Sequence, residues 1–298
     1  MSLRFPANPR QALRVGAALT TVALVILLGT IGTGEQSRPT YDHYVALGDS
    51  FTAAPFVPIT DVARGCFRSS NNYPSQLASL LHIEDLRDRS CSGANTAELS
   101  VRQPTRKGMS VPPQLDALSE RTDLVTVGIG ANNHGLYARM ATVCRRSNQI
   151  CRLHDRRDLL GAIVDQVRPA LVPALQKVRQ QAPRARVLLV GYPQLLPPRG
   201  GCDRLPRMRG QDRATFRDIS QRLRGGMRDA AEAAGVEFVD FYAVSAGHDI
   251  CSRHPWVQGR VGNRRGAGMH PLATGQAALA RTIEEVLRHE PRTTSPST

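Results

Sequence analysis

The chain contains few aromatic residues and almost no lysine, although it is strongly basic. Aromatic residues make up 5% of its 298 residues, and only Lys107 and Lys177 among the 39 basic residues are lysines. No run of basic residues is interleaved with aromatic ones, so we expect no nucleic-acid partner. The net charge of +14 is compatible with an anionic membrane surface as a partner, and equally with a solvated surface in a protein from an arginine-rich genome.

Several motifs of common enzymes are also absent. The sequence has no C-x-x-C pair, no H-E-x-x-H zinc motif, no Walker loop and no G-x-S-x-G nucleophile elbow. The glycines of the GIG run at 128–130 lack the further glycine of a dinucleotide fingerprint. We therefore expect neither a metal nor another cofactor.

The first 40 residues have the pattern of an export segment. Residues 1–14 carry three arginines and no acidic residue, and the next 20 residues are uncharged and largely apolar. A basic start followed by an apolar run is typical of a signal peptide, and a run of this length can also span a bilayer. We expect residues 1–40 to be a signal peptide or membrane anchor with a linker, and the protein to be secreted or anchored in the cell envelope.

Six cysteines follow this segment, and their even number agrees with export. Disulfide bonds persist outside the cytosol, and six cysteines permit 15 pairings. Pairing in sequence order closes three loops without entangling them, but the spacing alone leaves the other pairings open. The cysteines are Cys66, Cys91, Cys144, Cys151, Cys202 and Cys251.

Apolar stretches of strand type alternate with helical periodicity after the linker. This alternation predicts one α/β domain over residues 41–290, with a parallel sheet covered by helices on both faces. We expect residues 291–298 to be a disordered tail. The predicted strands are 44–48, 86–90, 123–133, 185–193 and 236–242, and the predicted helices are 72–82, 112–118, 156–181, 212–234 and 271–290.

Small or polar residues follow three of the predicted strands. Ser50 and Gly93 come after the first and second predicted strands, and Asn132 lies at the end of the third. Such strand ends meet at one edge of a parallel sheet. Acyl transfer needs a nucleophile, which a hydroxyl can supply. It also needs donors for the oxyanion, which an accessible N–H and a side-chain amide can supply. His270, in a glycine-rich loop just before the last helix, is the candidate base.

Four sequence blocks, taken in their order along the chain, resemble the SGNH, or GDSL-type, hydrolase family. The resemblance covers residues 41–290. The blocks are GDSFTA at 48–53, SCSGANT at 90–96, GIGANN at 128–133 and MHP at 269–271. The resemblance implies the SGNH hydrolase fold, which is a flavodoxin-like three-layer α/β sandwich with a central parallel sheet. It also implies a serine ester hydrolase without a cofactor.

The same resemblance implies a role for each motif residue. Ser50 is expected to be the nucleophile and His270 the base, and the N–H groups of Ser50 and Gly93 with the Asn132 side chain form the oxyanion hole. The cysteines are similar to those of secreted actinobacterial lipases and esterases of the family, which use sequential disulfides. That likeness implies the pairs Cys66–Cys91, Cys144–Cys151 and Cys202–Cys251.

Two positions depart from the family pattern. Asn133 stands where the family usually has an aspartate, and Ala267 stands three residues before His270, where a carboxylate usually orients the imidazole. Because some extracellular members use a Ser-His dyad, we expect the backbone carbonyl of Ala267 to accept the Nδ1–H. A carboxylate from Asp240 or Asp249 is the alternative.

The resemblance as a whole implies a monomeric lipase or esterase that cleaves carboxylic esters, lipid esters foremost, through an acyl-enzyme on Ser50. Two other functions stay open. A polysaccharide deacetylase would use the same residues, and a non-catalytic binding protein of the envelope would agree with the departures at Asn133 and Ala267. The motifs do not specify the acyl chain, because the residues of an acyl pocket lie on variable loops.

Overall fold

The computed structural model of the protein describes residues 40–105, 108–142, 144 and 150–289. The predicted export segment up to residue 39 and the predicted tail at 291–298 lie outside these residues. Within the described ranges, no helix is both long enough and apolar enough to cross a membrane.

A five-stranded sheet with the order β4-β1-β7-β8-β9 forms the centre of the domain. All four pairings between its strands are parallel, as the sequence predicts. Two short antiparallel pairs, β2 with β3 and β5 with β6, lie outside this sheet. In chain order the strands are β1 (His43–Gly48), β2 (Thr60–Asp61), β3 (Arg68–Ser69), β4 (Asp85–Asp88), β5 (Gln103–Pro104), β6 (Ser110–Val111), β7 (Leu124–Gly128), β8 (Arg186–Val190) and β9 (Glu237–Val239).

Helices connect the strands, largely where the periodicity predicts them. The predicted helix at 112–118 is shorter, a single 3-10 turn at Gln114–Ala117. The predicted strand at 236–242 ends early because Asp240 caps a short helix that starts at the next residue. The helices are α1 (Ser50–Ala53), α2 (Tyr73–Leu81), α3 (Arg157–Asp165), α4 (Val167–Gln181), α5 (Gly210–Ala234), α6 (Phe241–Val244) and α7 (Ala273–Arg288).

The long helix predicted at 156–181 is split, as its prolines indicate. The break lies at Gln166, between α3 and α4. Pro169 follows in the first turn of α4, where its missing N–H costs no helical hydrogen bond. Pro173 lies inside α4. The split allows both α3 and α4 to pack against α5.

Side chains of the strands alternate between two apolar layers, one on each face of the sheet. Val45, Leu47 and Val127 belong to the layer that includes buried residues of α3, α4 and α5. Tyr44 and Ala46 belong to the opposite layer, which includes buried residues of α2 and α7. Burying each large apolar side chain contributes about 1.5–3 kcal/mol. The result is the three-layer SGNH fold that the resemblance implies.

The carboxyl end of β1 is held from several sides. The Gln114 side chain accepts the Gly48 N–H at 2.7 Å and donates to the Gly48 carbonyl at 3.0 Å. The Cys91 N–H also donates to that carbonyl, at 2.9 Å. In the sheet, Gly48 lies opposite Gly128 of β7. These contacts fix the position at which the chain leaves β1 and continues to Ser50.

Three disulfide bonds join loops of the domain. The first connects the segment before β3 to the loop that carries Gly93, and it closes a loop of 25 residues. In the chain-entropy model, a cross-link of this span stabilises by roughly 3 kcal/mol. The bonded pairs are the sequential ones, Cys66–Cys91, Cys144–Cys151 and Cys202–Cys251.

We predict that Gly48→Ala destabilises the protein by about 3 kcal/mol, because there is no room for a methyl group. A Cβ at residue 48 would lie 2.2 Å from Oγ1 of Thr52 and 2.7 Å from the backbone oxygen of Gly128. Denaturant unfolding measures the loss. Gly225→Ala is the control, since it lies inside α5 with open space around it, and it should stabilise by about 1 kcal/mol. Equal effects of both substitutions would contradict this account.

Candidate active site

Ser50 and His270 meet at the carboxyl edge of the sheet. Ser50 is the first residue of α1, directly after β1, and His270 lies in the loop that leads into α7. Nε2 of His270 is 2.8 Å from Oγ of Ser50, although 220 positions separate the two residues. Their side chains lie in a protected setting, since Ser50 is 8% exposed and His270 is 7% exposed. The fold therefore joins the predicted hydroxyl and imidazole in a hydrogen bond.

The other ring nitrogen of His270 determines which tautomer is present. Nδ1 lies 2.9 Å from the carbonyl oxygen of Gly268. A carbonyl oxygen can only accept, so Nδ1 carries the proton and Nε2 has its lone pair directed at Ser50. The imidazole is thereby ready to accept the proton of the Ser50 hydroxyl.

Two aromatic side chains hold the imidazole in place. The Phe51 ring stacks on it with a centroid distance of 4.8 Å, and the Tyr137 ring meets it edge-on at 5.3 Å. The Tyr137 hydroxyl donates to the Met269 carbonyl at 2.7 Å and lies 3.4 Å from Nδ1 of His270. The ring of His270 is therefore confined on its face, on its edge and at Nδ1.

The carbonyl that faces Nδ1 belongs to Gly268, and the prediction of Ala267 was wrong by one residue. The Ala267 carbonyl instead accepts the backbone N–H of His270 at 3.2 Å. This turn directs the Ala267 oxygen toward the main chain. Met269, with φ of 59°, reverses the chain so that the Gly268 oxygen faces the ring. The expected kind of group, a backbone carbonyl, is nevertheless the one at Nδ1.

The two carboxylates considered as alternatives have partners of their own. Asp240 accepts hydrogen bonds from the guanidinium groups of Arg224 and Arg228. Asp249 accepts the backbone N–H of Cys251 at 2.8 Å. Both carboxylates are therefore engaged in hydrogen bonds with groups other than the imidazole of His270.

The three predicted hydrogen-bond donors follow the carboxyl ends of the neighbouring strands β4, β1 and β7. The Asn132 side-chain nitrogen donates one hydrogen to the Ala94 carbonyl at 2.9 Å, which leaves a second hydrogen on the same nitrogen. Gly93 is exposed and has φ of 87°, a conformation that favours glycine. Within the described part of the chain, neither its N–H nor that of Ser50 donates to a protein group. These N–H groups and the Asn132 amide can therefore serve an anionic oxygen.

Asn133, which departs from the family pattern, supports the loop that carries Gly93. Its side-chain oxygen accepts the Thr96 N–H at 3.1 Å, and its side-chain nitrogen donates to the Thr96 hydroxyl, also at 3.1 Å. An aspartate here would accept both hydrogens. Asn133 keeps both contacts because the hydroxyl can reverse its direction and accept.

A buried carboxyl group precedes Ser50 and links three strand ends. Asp49 is fully buried, and it accepts the Phe51 N–H at 2.9 Å and the Tyr192 hydroxyl at 2.6 Å. The Tyr192 oxygen also accepts the Ala131 N–H at 2.9 Å. Through Tyr192, which follows β8, the residue before Ser50 is thus tied to the residue before Asn132. Burial raises the pKa of Asp49 to about 7, and the hydrogen bonds from Tyr192 and Phe51 oppose part of that rise.

We predict that Asp49 makes the stability of the protein depend on pH. Unfolded, the carboxyl group has a pKa near 3.8, whereas in the folded protein its pKa is about 7. Its stabilisation is therefore full below pH 3.8 and is lost as the pH rises through 7. Relative to Asp49→Asn, the wild-type free energy of unfolding should fall by about 1.4 kcal/mol per pH unit between these values, roughly 4 kcal/mol in all.

Denaturant unfolding of the two proteins across this pH range measures the effect. Asp158→Asn, at a side chain that is 89% exposed, is the control for replacing a carboxylate by an amide. Parallel stability profiles of wild type and Asp49→Asn would contradict the assignment.

Several residues of the site do not stand out in the sequence. Tyr137 and Tyr192 lie 87 and 142 positions after Ser50 in the sequence, and only the fold brings them to the neighbouring Phe51. Their one signal is the position of Tyr192 near the end of the strand predicted at 185–193. Gly268 is one of several glycines in its loop. No three side chains of the His, Cys, Asp or Glu types come together as a possible metal site in residues 40–289, apart from the gaps.

Known proteins resemble this chain in sequence and in structure. Residues 46–278 match the sequence model of the GDSL-like Lipase/Acylhydrolase family. Lipase 2 of Streptomyces coelicolor is 34% identical over 296 residues, which cover 95% of this chain and 98% of the relative. The phospholipase A1 of Streptomyces albidoflavus superposes with a TM-score of 0.70 at 25% identity, covering 83% of this chain and 99% of that one. The extracellular lipase of Streptomyces rimosus has the same TM-score at 26% identity, with coverage of 82% and 99%.

The order of the parallel strands and the groups at their carboxyl ends define a hydrolase of the SGNH type. The family match spans most of the domain, and the relative from Streptomyces coelicolor aligns over nearly its whole length. The chain belongs to the GDSL-like lipase/acylhydrolase family, and it is a carboxylic ester hydrolase.

Proposed function

We propose that the protein is an exported lipase or esterase that hydrolyses carboxylic esters through an acyl-enzyme on Ser50, with His270 as the base. The observation that carries this proposal is the 2.8 Å contact between Oγ of Ser50 and Nε2 of His270. The proton on Nδ1 and the donors around Gly93 and Asn132 support it further. The names of the relatives, which include a phospholipase and several lipases, favour lipid esters over polysaccharide acetate.

In the first half-reaction, the Ser50 oxygen attacks the ester carbonyl carbon while Nε2 of His270 takes the hydroxyl proton. The carbonyl oxygen becomes an anion, and the N–H groups of Ser50 and Gly93 with the Asn132 amide stabilise it. Each such donor contributes about 2.7–4 kcal/mol to the transition state. The tetrahedral intermediate then collapses, and the imidazolium gives its proton to the departing alcohol oxygen.

In the second half-reaction, water attacks the acyl-enzyme. Nε2 of His270 takes one proton from the water, and the same donors again stabilise the oxyanion. The C–O bond to Ser50 breaks, and the proton returns to the serine oxygen. The products are the alcohol and the carboxylic acid.

The neutral carbonyl at Nδ1 of His270 limits the maximal rate of ester hydrolysis. The Gly268 oxygen orients the ring of His270, but it stabilises the imidazolium less than a carboxylate would. We therefore propose a modest maximal rate for this site. Tyr137, with its hydroxyl 3.4 Å from Nδ1, helps to keep the ring in position.

We predict that Ser50→Ala and His270→Ala each lower kcat for p-nitrophenyl acetate by at least about a thousandfold, because nucleophile and base act as one unit. Asp240→Asn and Asp249→Asn should each stay within about tenfold of wild type, since neither carboxylate serves the base. Labelling by a serine-directed phosphonate, located by mass spectrometry, provides a second measurement. It should occur at Ser50 and be lost in His270→Ala.

Each result has an outcome that would contradict it. If the loss in Asp240→Asn or Asp249→Asn matched that in His270→Ala, a carboxylate would be the orienting group. If Ser50→Ala kept its activity and the phosphonate labelled another residue, the acyl-enzyme would not form on Ser50.

Export is the second part of the proposal. The basic and apolar start of the chain, the three disulfide bonds and the similarity to an extracellular lipase all support it. Disulfide bonds of this kind form and persist in oxidising surroundings. We infer a monomer that is secreted or held at the envelope by its first 40 residues.

The surface beside the site supports binding to an anionic lipid surface. Phe56, Ile59 and Val62 lie on one loop after Ser50, with exposed fractions of 47%, 79% and 51%. This loop adjoins the His270 loop, because the Pro55 carbonyl accepts the Ala267 N–H at 3.0 Å. The same two segments of the chain carry exposed arginines, which are Arg64, Arg264 and Arg265. Apolar side chains next to cationic ones are typical of interfacial binding.

We predict that the double change Arg264→Glu and Arg265→Glu weakens binding to phosphatidylglycerol vesicles at least about thirtyfold, because each arginine near an anionic surface contributes about 1 kcal/mol. Vesicle co-sedimentation at low salt measures the affinity. Changing Arg121 and Arg184 to glutamate is the charge-matched control, since both are exposed and lie before β7 and β8, at the opposite edge of the sheet. Equal losses in the two double variants would show that only net charge matters and would overturn the proposed surface.

A further inference from the structure

The loop after β4 uses its backbone N–H groups for its own support, with one exception. The Cys91 N–H donates to the end of β1 at 2.9 Å, and the Ala94 N–H donates to the Cys91 carbonyl at 3.1 Å. The Ser92 N–H donates to the Cys66 carbonyl at 3.0 Å. Among these four residues in a row, only the N–H of Gly93 has no partner within the described part of the chain. The loop is therefore built to leave one donor free.

The direction of this free donor depends on the carbonyl group before it. The Ser92 carbonyl and the Gly93 N–H belong to one planar peptide unit, in which they point in opposite directions. The side-chain nitrogen of Gln103 donates to the Ser92 carbonyl at 3.0 Å. A group that holds the oxygen of the unit also sets the direction of its N–H. The same hydrogen bond polarises the peptide unit and so strengthens the N–H as a donor.

Gln103 lies outside the central sheet and outside all four sequence blocks of the family pattern. It begins β5, which pairs with β6, and the Thr105 N–H closes this hairpin by donating to the Met109 carbonyl at 2.7 Å. The Gln103 side chain is buried. A Cβ at Gly93 would lie 3.9 Å from its nitrogen, so the amide packs directly against the glycine.

The other end of the same amide indicates that Gln103 serves more than stability. Its side-chain oxygen is buried and has no hydrogen-bond partner among the residues that the structure describes. An unpaired buried oxygen is costly, and an apolar side chain of similar size would avoid that cost. Such departures from good packing chemistry are expected at functional sites. The nitrogen on the Ser92 carbonyl is then the part of the side chain that the protein uses.

We propose that Gln103 is a positioning residue of the oxyanion hole, which acts through the Ser92–Gly93 peptide unit. Its amide holds and polarises this unit, so that the Gly93 N–H is aimed at the oxygen that becomes negative in the transition state. This inference rests on the proposed acyl-enzyme at Ser50 and adds to it a residue that does not touch the substrate. It assigns a catalytic consequence to the β5–β6 hairpin.

The test replaces Gln103 and measures hydrolysis of p-nitrophenyl acetate. Gln103→Met keeps the length of the side chain but cannot donate, and it should lower kcat at least about tenfold while KM stays within about threefold, because the donor acts in the transition state. Gln76→Met is the matched control, since it removes the same kind of hydrogen bond, from Nε2 of Gln76 to the Asn71 carbonyl at 2.9 Å, on helix α2. Its kcat should equal that of wild type.

Inhibition by trifluoroacetone separates an effect on the oxyanion from a general loss of structure. The Ser50 oxygen adds to the ketone carbon, His270 takes the hydroxyl proton, and the ketone oxygen becomes an oxyanion. Its inhibition constant should rise in Gln103→Met by about the factor that kcat falls, and stay unchanged in Gln76→Met. Gln103→Glu, which matches glutamine in shape and loses the donor when ionised, should show the same two effects, so the test does not depend on one variant folding.

Three results would overturn the role of Gln103 and leave the acyl-enzyme intact. They are wild-type kcat in both Gln103 variants, an unchanged inhibition constant despite a lower kcat, and an equal loss of kcat in Gln76→Met. If the wild-type protein neither hydrolysed the ester nor was labelled at Ser50 by the phosphonate, the proposed function itself would fall, and this inference with it.

Discussion

The contact between Ser50 and His270 depends on how helix α7 is held against the first part of the domain. Gln276, fully buried in α7, accepts the Tyr73 N–H at 2.7 Å and donates to the Phe51 carbonyl at 2.9 Å. One side chain therefore fastens the helix after His270 both to α2 and to the short helix that begins with Ser50. Because a buried amide without partners would cost about 1–3 kcal/mol, this arrangement favours a single position of α7.

The departures from the family pattern are accommodated by main-chain and hydroxyl groups. The Gly268 carbonyl meets Nδ1 of His270, where the family usually has a carboxylate, and the Thr96 hydroxyl reverses its hydrogen bond to suit Asn133. Neither solution introduces a new charge near the site. The buried carboxyl group that precedes Ser50, Asp49, accepts hydrogen bonds from Phe51 and Tyr192, and burial raises its pKa to about 7.

Much of this arrangement can be predicted from the order of strands and the small residues at their ends, because parallel strands bring their carboxyl ends to one edge. The identity of the orienting carbonyl could not be predicted, since it depends on the left-handed backbone of Met269. Tyr137 and Tyr192 were missed for a different reason. Only packing between distant segments brings their rings to Phe51, and no local pattern records that packing.

The cross-link between Cys66 and Cys91 also makes the support of the loop that carries Gly93 depend on the redox state of the surroundings. It joins the segment that follows the exposed apolar loop to the loop that carries Gly93, and reducing surroundings would leave it unformed. Reduction would then leave the loop of the predicted glycine donor held by fewer constraints than in the oxidised protein.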